Sequence, residues 1–191
     1  MGSLPIRNYG DPVLRAKGEP VREFGPALRA LGDTMLETMR AAKGIGLAAP
    51  QVGLSLQLFV LDVCDPEARP ILDGKERDPA EVMPMLLANA EVAVAAGEPV
   101  AYDEGCLSFP GVRGSVTRIE RASVRFRDAD GAPHVLECSG LLARCVQHEH
   151  DHCQGVLFID RMSGPDLLLA TARIKRIRRD TEATLRPRRR A

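Results

Sequence analysis

The residues with the clearest capacity for chemistry lie at positions 148–152, where the chain reads HEHDH. Residues four positions apart share one face of a helix, so His148 and His152 could bind the same metal ion. Glu149 lies beside the first histidine and could handle a proton. This is the HExxH pattern, in which two metal ligands accompany a general base. We expect Asp151 to be a structural partner and His150 to be exposed. The alternative interpretation of the whole segment is a solvated polar helix face.

A catalytic HExxH site needs a third protein ligand, and its position distinguishes the classes of enzyme. The extended pattern HExxHxxGxxH requires a histidine where this chain has Phe158, so that class is excluded. Glu182 could serve as a downstream carboxylate, but nothing else in its basic segment indicates a site. Upstream, the thiolate of Cys106 in EGCLS would complete a Cys-His-His set with a fourth position open for water. Cys106 could also be only a small buried apolar residue.

The elements that position these residues follow from apolar periodicity and from turn residues. Asp130-Gly131, between two alternating segments, indicates a hairpin. Residues 65–84 are polar and rich in proline, and we expect a long excursion there, either mobile or functional. Helices are predicted for residues 27–43, 141–154 and 165–185, and strands for residues 56–63, 85–94 and 99–102 and for a short segment between the last two helices. The predicted class is α+β, with mostly antiparallel sheets packed around a central metal-binding helix, and with a C-terminal helix.

Length and composition limit the class of protein. The 191 residues suit a single domain spanning 1–191, and the formal net charge of +0 gives no overall sign of a nucleic-acid or membrane partner. No stretch has the roughly 18 to 20 apolar residues of a membrane span. The first residues lack a signal-peptide pattern, and five cysteines are an odd number for a disulfide framework. We therefore expect a cytoplasmic protein with free thiols and no membrane attachment.

Three motifs together resemble a known family. GIGLAAPQ at residues 44–51, EGCLS at residues 104–108 and QHEHDH at residues 147–152 occur in the order typical of peptide deformylases. The resemblance runs from LPIRNYGDPVLR near the N-terminus to GVLFIDRM. It implies a metal-dependent hydrolase that removes the formyl group from the N-terminal methionine of newly made polypeptides and releases formate. It also implies one divalent ion, natively Fe(II), with Zn, Ni or Co possible in purified protein.

The resemblance also assigns roles to individual residues. It implies that Glu149 is the general acid and base, and that Glu104 and Arg118 pair to brace the cysteine loop. The implied metal ligands are Cys106, His148 and His152. The implied oxyanion donors are the Gln51 side-chain amide and the Leu107 backbone N–H. The implied substrate-binding residues are Ile45, Gly46 and Gly105, which hold the peptide as an added strand, and Leu141 and Cys145, which line the methionine pocket.

Arg144 departs from the family pattern, which usually has an aliphatic or otherwise apolar residue there. We expect its stem to lie along the rim of the methionine pocket and its charge to turn to solvent or to a carboxylate. It would then narrow or polarise the pocket, and so belongs to the predicted substrate-binding set.

Other interpretations stay open at this point. The basic helix and tail at residues 172–191 could contact the ribosome, or could be a solvated helix face with Leu168, Ala172, Ile174 and Ile177 turned inward. A zinc endopeptidase is a second candidate function. A non-catalytic module with a closed structural zinc site, completed by Cys145 or Cys138, is a third.

Overall fold

An antiparallel sheet and a central helix organise the computed structural model, which describes residues 2–65, 68–95 and 97–186. The helices are α1 (Pro26–Ala41), α2 (Pro79–Val82), α3 (Gly140–Cys153) and α4 (Gly164–Leu185), and there are 3-10 turns at Pro12–Arg15, Ala49–Val52 and Phe158–Asp160. The strands are β1 (Gly46–Ala48), β2 (Leu58–Leu61), β3 (Ile71–Leu72), β4 (Lys75–Glu76), β5 (Met85–Val94), β6 (Pro99–Gly105), β7 (Arg113–Ile119), β8 (Arg121–Arg127) and β9 (Pro133–Ser139). The predicted α+β class, with antiparallel sheets and a C-terminal helix, is confirmed.

The strands form a seven-stranded sheet, in the order β1-β2-β5-β8-β9-β3-β4, and a separate two-stranded ribbon of β6 and β7. Neighbouring strands in both are antiparallel. The predicted hairpin joins β8 to β9, and Gly131 in its turn has a φ of +84°, which a residue with a side chain rarely adopts. Strand β1 is an edge strand, so one row of its backbone groups has no partner strand in the sheet.

Strand β2 is buried on both faces and joins two parts of the core. Phe59 and Leu61 pack on the side of α3, whereas Leu58 and Val60 pack on the side of α1. Because side chains alternate across a strand, a strand covered on both faces must be apolar throughout. The uninterrupted apolar run of the sequence is therefore a strand between two helices.

Helix α3 lies at the centre of the molecule. It packs against β1, β2, β5, β8 and β9, and Leu142, Ala143 and Val146 belong to the core between helix and sheet. Its opposite side carries buried charged residues, including Arg144 and Asp151. A helix that is apolar on one side and polar but buried on the other must have polar partners there. The ribbon of β6 and β7 supplies them.

The ribbon and the C-terminal part of the chain share a third core. Phe109 and Val116 pack with Phe158 and Ile174, and the Phe109 and Phe158 rings meet edge to face at 5.1 Å between centroids. Asp166, in the first turn of α4, accepts a hydrogen bond from the Ser115 backbone N–H at 2.8 Å. These contacts hold the loop after β6 against the segment that follows α3.

Several sequence predictions are wrong in detail. The short strand predicted before the last helix is a 3-10 turn at Phe158–Asp160, where the Asp160 carboxylate accepts from the Leu157 N–H at 2.9 Å. The excursion at residues 65–84 contains β3, β4 and α2, and β3 extends the large sheet beside β9. Residues 66 and 67 of it lie outside the described residues. Strand β7 was not predicted.

Two residues of α4 predicted to face inward do not. Leu168 is 76% exposed, and Ala172 is exposed as well. Ile174 is buried and Ile177 is half-buried. Of the predicted basic segment at residues 172–191, positions 187–191 lie outside the described residues. In the part of the chain that the structure describes, no helix combines the length and apolar character needed to cross a membrane.

An ion-pair cluster joins the β3–β4 turn to the β8–β9 hairpin. His134 places Nδ1 2.7 Å from an Asp73 carboxylate oxygen and Nε2 3.4 Å from one of Asp128. The hydrogen bond to Asp73 raises the pKa of His134, and Asp128 adds to this effect against the opposing effect of burial. The charged imidazole therefore stabilises the folded state.

We expect His134→Asn to lower the free energy of unfolding more in acid than in alkali. Because the folded-state pKa is raised, the contribution of His134 is complete below its unfolded-state value of about 6.5 and is lost as pH rises through the folded-state value. Denaturant titrations of both proteins at about pH 5.5 and about pH 9 measure the difference. Equal differences at the two pH values would contradict the prediction.

Candidate metal centre

Three predicted metal ligands lie together where the loop after β6 meets α3. The candidate ligand atoms of Cys106, His148 and His152 all lie within 4.8 Å of one another. Cys106 Sγ is 3.2 Å from His152 Nε2, and the two imidazole centroids are 5.2 Å apart. The spacing of four residues on α3 puts both rings on one helix face, and the end of β6 brings the thiol to them. Among the described residues, no other cluster of three or more such side chains could hold an ion.

The donor set fits a divalent transition metal. One thiolate and two imidazoles suit iron(II), zinc, cobalt or nickel, whereas calcium and magnesium prefer oxygen ligands. His148 Nδ1 lies 3.1 Å from Glu104 Oε2, so its Nε2 is left for an ion. A carboxylate behind a ligand histidine fixes the ring orientation and the tautomer.

Glu104 is held by buried arginines. Arg118 donates to both of its carboxylate oxygens, with Nε at 2.7 Å and Nη2 at 3.1 Å, so the predicted Glu104–Arg118 pair forms. Burial opposes ionisation of Glu104, but the hydrogen bonds from His148 and Arg118 outweigh it and lower the pKa of Glu104 to about 2. Arg118 also donates to Asp151 on α3 at 2.9 Å, and Arg161 adds two further bonds. Asp151 is therefore a structural partner, as predicted.

Glu149 is buried beside the metal ligands. Glu149 is only 4% exposed, and its Oε2 atom has no hydrogen-bond partner among the described residues. Burial raises the pKa of Glu149 to about 7. A carboxyl group that both accepts and releases a proton near neutrality is suited to acid–base catalysis. Gly46 makes this position possible, because a Cβ there would lie 2.5 Å from Glu149 Oε1.

Gln51 is fixed by its own local backbone. The Ala48 N–H donates to Gln51 Oε1 at 2.8 Å, within the 3-10 turn that follows β1. Its Nε2 then faces Cys106 Sγ at 3.5 Å and the Ser108 hydroxyl at 3.3 Å. The Gln51 amide N–H groups are thus oriented toward the cysteine loop.

A cleft of about 490 Å³ opens over these groups. Its lining includes every predicted site residue except His152, which lies beneath it and is 1% exposed. Glu104, which was predicted to brace the cysteine loop, also lines the cleft. The other lining residues had no role in the sequence predictions, namely Lys43, Gly44, Tyr102, Asp103, Phe109, Gly111, Val112 and Arg113. Most of them belong to the ribbon or its turn. The Pro110-Gly111 pair was the available signal for that turn.

For Arg144 one of the two predicted alternatives holds, whereas the placement predicted for His150 is wrong. The Arg144 side chain is only 3% exposed, so its charge does not reach solvent; Nε donates instead to a Glu120 carboxylate oxygen at 2.9 Å. The carboxylate alternative is therefore the correct one. His150 was expected to be exposed and is half-buried, and burial lowers its pKa.

The structure also places the two cysteines of the closed-site alternative. Cys145 Sγ donates to the Ile45 carbonyl at 3.6 Å, and Cys138 Sγ donates to the Ala122 carbonyl at 3.6 Å. Neither belongs to the cluster of candidate ligands. Burial raises the pKa of both thiols, which disfavours the thiolate that binds a metal. A site closed by either cysteine is not supported.

Comparisons with known proteins agree on one family. A family model described as Polypeptide deformylase matches residues 3–167. A peptide deformylase of Opitutus terrae is 46% identical over 184 residues, which cover 95% of this chain and 96% of the relative. The crystal structure of a peptide deformylase from Thermus thermophilus is 40% identical, with a TM-score of 0.79, and the match covers 94% of this chain and 99% of that one. A Synechococcus elongatus peptide deformylase in complex with actinonin is 40% identical, with a TM-score of 0.77 over 90% and 86% of the two chains.

We expect Cys106→Ala to abolish stoichiometric binding of a divalent metal, because two imidazoles alone leave the site without its charged ligand. Elemental analysis of purified protein, with zinc titration of the apo form, measures this. The matched controls are Cys64→Ala and Cys138→Ala, which remove thiols outside the cluster of ligands. One ion per chain in the Cys106 variant would show that the third ligand is misassigned.

Proposed function

Because the chain belongs to the polypeptide deformylase family, we propose that it removes the formyl group from the N-terminal methionine of newly made polypeptides by metal-dependent hydrolysis. The products are formate and a free peptide amine. The observation that carries the proposal is the position of Glu149 beside a Cys-His-His cluster under a cleft. Three candidate metal ligands and a proton acceptor therefore lie close together at the base of one cleft.

Cys106, His148 and His152 would hold one divalent ion, and the resemblance to the family favours iron(II) as the native one. When bound, such an ion supplies the Lewis acidity that makes hydroxide available near neutral pH. The ligand set itself is compatible with zinc, nickel or cobalt.

The acid–base work falls to Glu149. It accepts a proton from the attacking water, and then donates a proton to the departing amine as the formamide C–N bond breaks. A pKa of about 7 lets one carboxyl group serve in both directions. The Gln51 amide and the Leu107 backbone N–H are proposed to donate hydrogen bonds to the developing oxyanion. Groups oriented before the reaction stabilise such charge most effectively, and Gln51 is held by Ala48 and Ser108.

The substrate peptide is proposed to bind as an added strand. β1 is an edge strand, and Ile45 and Gly46 lie at the cleft with Gly105 of β6. Unpaired backbone groups on such an edge can bind an extended peptide whatever its side chains. Leu141 and Cys145, one above the other on α3, are proposed to line the pocket for the methionine side chain.

A zinc endopeptidase is a weaker candidate. Its third ligand would be Glu182, which lies on α4 and accepts from Arg178 at 2.6 Å. Glu182 is not part of the ligand cluster. The deformylase proposal uses residues that the structure brings together, whereas the endopeptidase proposal needs one that it places elsewhere.

Three further questions concern the domain organisation, the cellular location and a possible binding partner of the protein. The chain is proposed to act as a single catalytic unit in the cytoplasm, where nascent chains are formylated substrates. For the exposed basic face of α4, contact with the ribosome and a merely solvated helix face are the two candidate roles. Ion pairs within that helix, Arg176 with Asp180 and Arg178 with Glu182, favour the alternative of a solvated face.

The decisive assay is formate release from a formyl-Met peptide by protein loaded anaerobically with iron(II). We expect release that depends on the metal, with no cleavage of internal peptide bonds in the same peptide. Internal cleavage without formate would support the endopeptidase instead.

Glu149→Gln should keep the metal and lower kcat by about 10²- to 10⁴-fold, the usual contribution of acid–base catalysis. The amide has the same shape as the carboxyl but cannot take up the proton. Glu182→Gln is the matched control and should leave kcat unchanged. A Glu149 variant that retains most of its activity with full metal content would remove Glu149 from the mechanism.

A further inference from the structure

The buried guanidinium of Arg144 connects α3 to both strands of the ribbon. Its Nη2 donates to the Val100 carbonyl of β6, and its Nη1 lies 3.3 Å from the Val116 carbonyl of β7. Nη1 also reaches Glu104 Oε1 at 3.4 Å, while Nε donates to Glu120 Oε1 at 2.9 Å. The guanidinium carbon lies 5.2 Å from the centroid of the Tyr102 ring. One side chain therefore contacts four residues of the ribbon and, in Glu120, the residue that follows it.

The ribbon needs such a connection because it is not part of the large sheet. β6 and β7 pair only with each other among the described strands. Yet the residue after β6 is Cys106, while the two histidines that must meet it are on α3. Any rotation of the ribbon against α3 would therefore change the distance between the thiol and the imidazoles.

Arg144 and Arg118 hold the ribbon in different ways. Arg118 belongs to β7 and reaches α3 only through the Asp151 carboxylate. Arg144 belongs to α3 and donates to backbone carbonyls, which cannot change rotamer. It also adds a donor to Glu104, the carboxylate that faces His148 Nδ1. Contact with a carbonyl of each strand fixes the ribbon itself.

We propose that Arg144 is a positioning residue that locks the β6–β7 ribbon onto α3 and thereby sets the geometry of the Cys-His-His ligands. The importance of this role for catalysis rests on the proposed metal-dependent function. The structural role itself does not depend on that function. It replaces the expectation that Arg144 tunes the methionine pocket from the rim. Although Arg144 borders the cleft, its guanidinium is buried against Tyr102, Glu104 and the two carbonyls.

The guanidinium group is required for this role. It presents five N–H donors in a planar fork, and here they serve Glu120, Glu104, Val116 and Val100 at once. The ammonium of a lysine has three donors at one point and cannot span acceptors on both strands. Arg144→Lys therefore keeps the charge but only part of the connection.

The test uses the full chain as Arg144→Met, Arg144→Lys and, as the matched control, Arg125→Met, which changes an exposed arginine of β8. Competition with a chelator measures zinc affinity of the apo proteins. Absorption of the cobalt(II) forms reports the thiolate and imidazole ligands. Hydrogen exchange reports opening of β6, and thermal unfolding gives the Tm.

We expect Arg144→Met to weaken zinc binding by about 10- to 100-fold, the usual effect of losing a partner behind the ligands. The cobalt thiolate band should change, and amide exchange should rise in β6 but not in β8. Arg144→Lys should show the same changes to a smaller degree, and Arg125→Met none. None of these measurements uses a substrate, so failure of the proposed deformylase activity would leave their outcome unaffected.

The proposal is wrong if folded Arg144 variants lose Tm but keep zinc affinity and the cobalt spectrum of the unaltered protein, since Arg144 would then contribute only to packing. It is also wrong if neither variant folds, because the effect would then extend beyond the ribbon.

Discussion

The structure of the site depends on one buried carboxylate, that of Glu104. It accepts from Arg118 through two bonds, lies within reach of Arg144, and faces His148 Nδ1. A buried charge is costly unless it is paired and hydrogen-bonded, and here its partners come from α3 and from β7. Because Glu104 lies two residues before Cys106, the same group that orients a histidine also anchors the loop that carries the thiol. The geometry of all three candidate ligands is thereby linked to one set of ion pairs.

Helix α3 combines two functions that usually conflict. Its apolar side fills the core under the large sheet, while its other side buries the charged residues Arg144 and Asp151. The arginines and carboxylates of that side neutralise one another. Glu149 differs, since Oε2 has no partner among the described residues and burial raises its pKa to about 7. A buried polar group that has no hydrogen-bond partner, beside groups that all have one, is available to a substrate.

The cleft has two unlike walls. Gly46 belongs to the edge strand of the seven-stranded sheet, which has a core on each face, and Ile45 directly precedes that strand. Tyr102 and Gly105 belong to a ribbon of two strands. The ribbon is fastened by the third core, by Asp166 of α4 and by the arginines beneath it. Because the second wall is held separately from the large sheet, side chains outside the cleft can influence the geometry of the site. The ion pair of Asp103 with Arg113, with Nε 2.6 Å from Oδ2, lies along the second wall.

The sequence by itself determined the parts of this protein that depend on local chemistry. The HExxH spacing on an apolar helix, the strand at residues 85–94, the hairpin at Asp130-Gly131 and the order of the three motifs could all be predicted, because periodicity and turn residues act over a few positions. Only the tertiary structure decided that β6 and β7 stand apart from the sheet, that β3 joins it beside β9, and that Arg144 is buried. Those outcomes depend on hydrogen bonds between segments that are distant in sequence. Arg144 can donate to Val100, Val116 and Glu120 only when the ribbon packs on α3. Composition and periodicity predict the segment that carries each residue, but not which residues of distant segments come into contact.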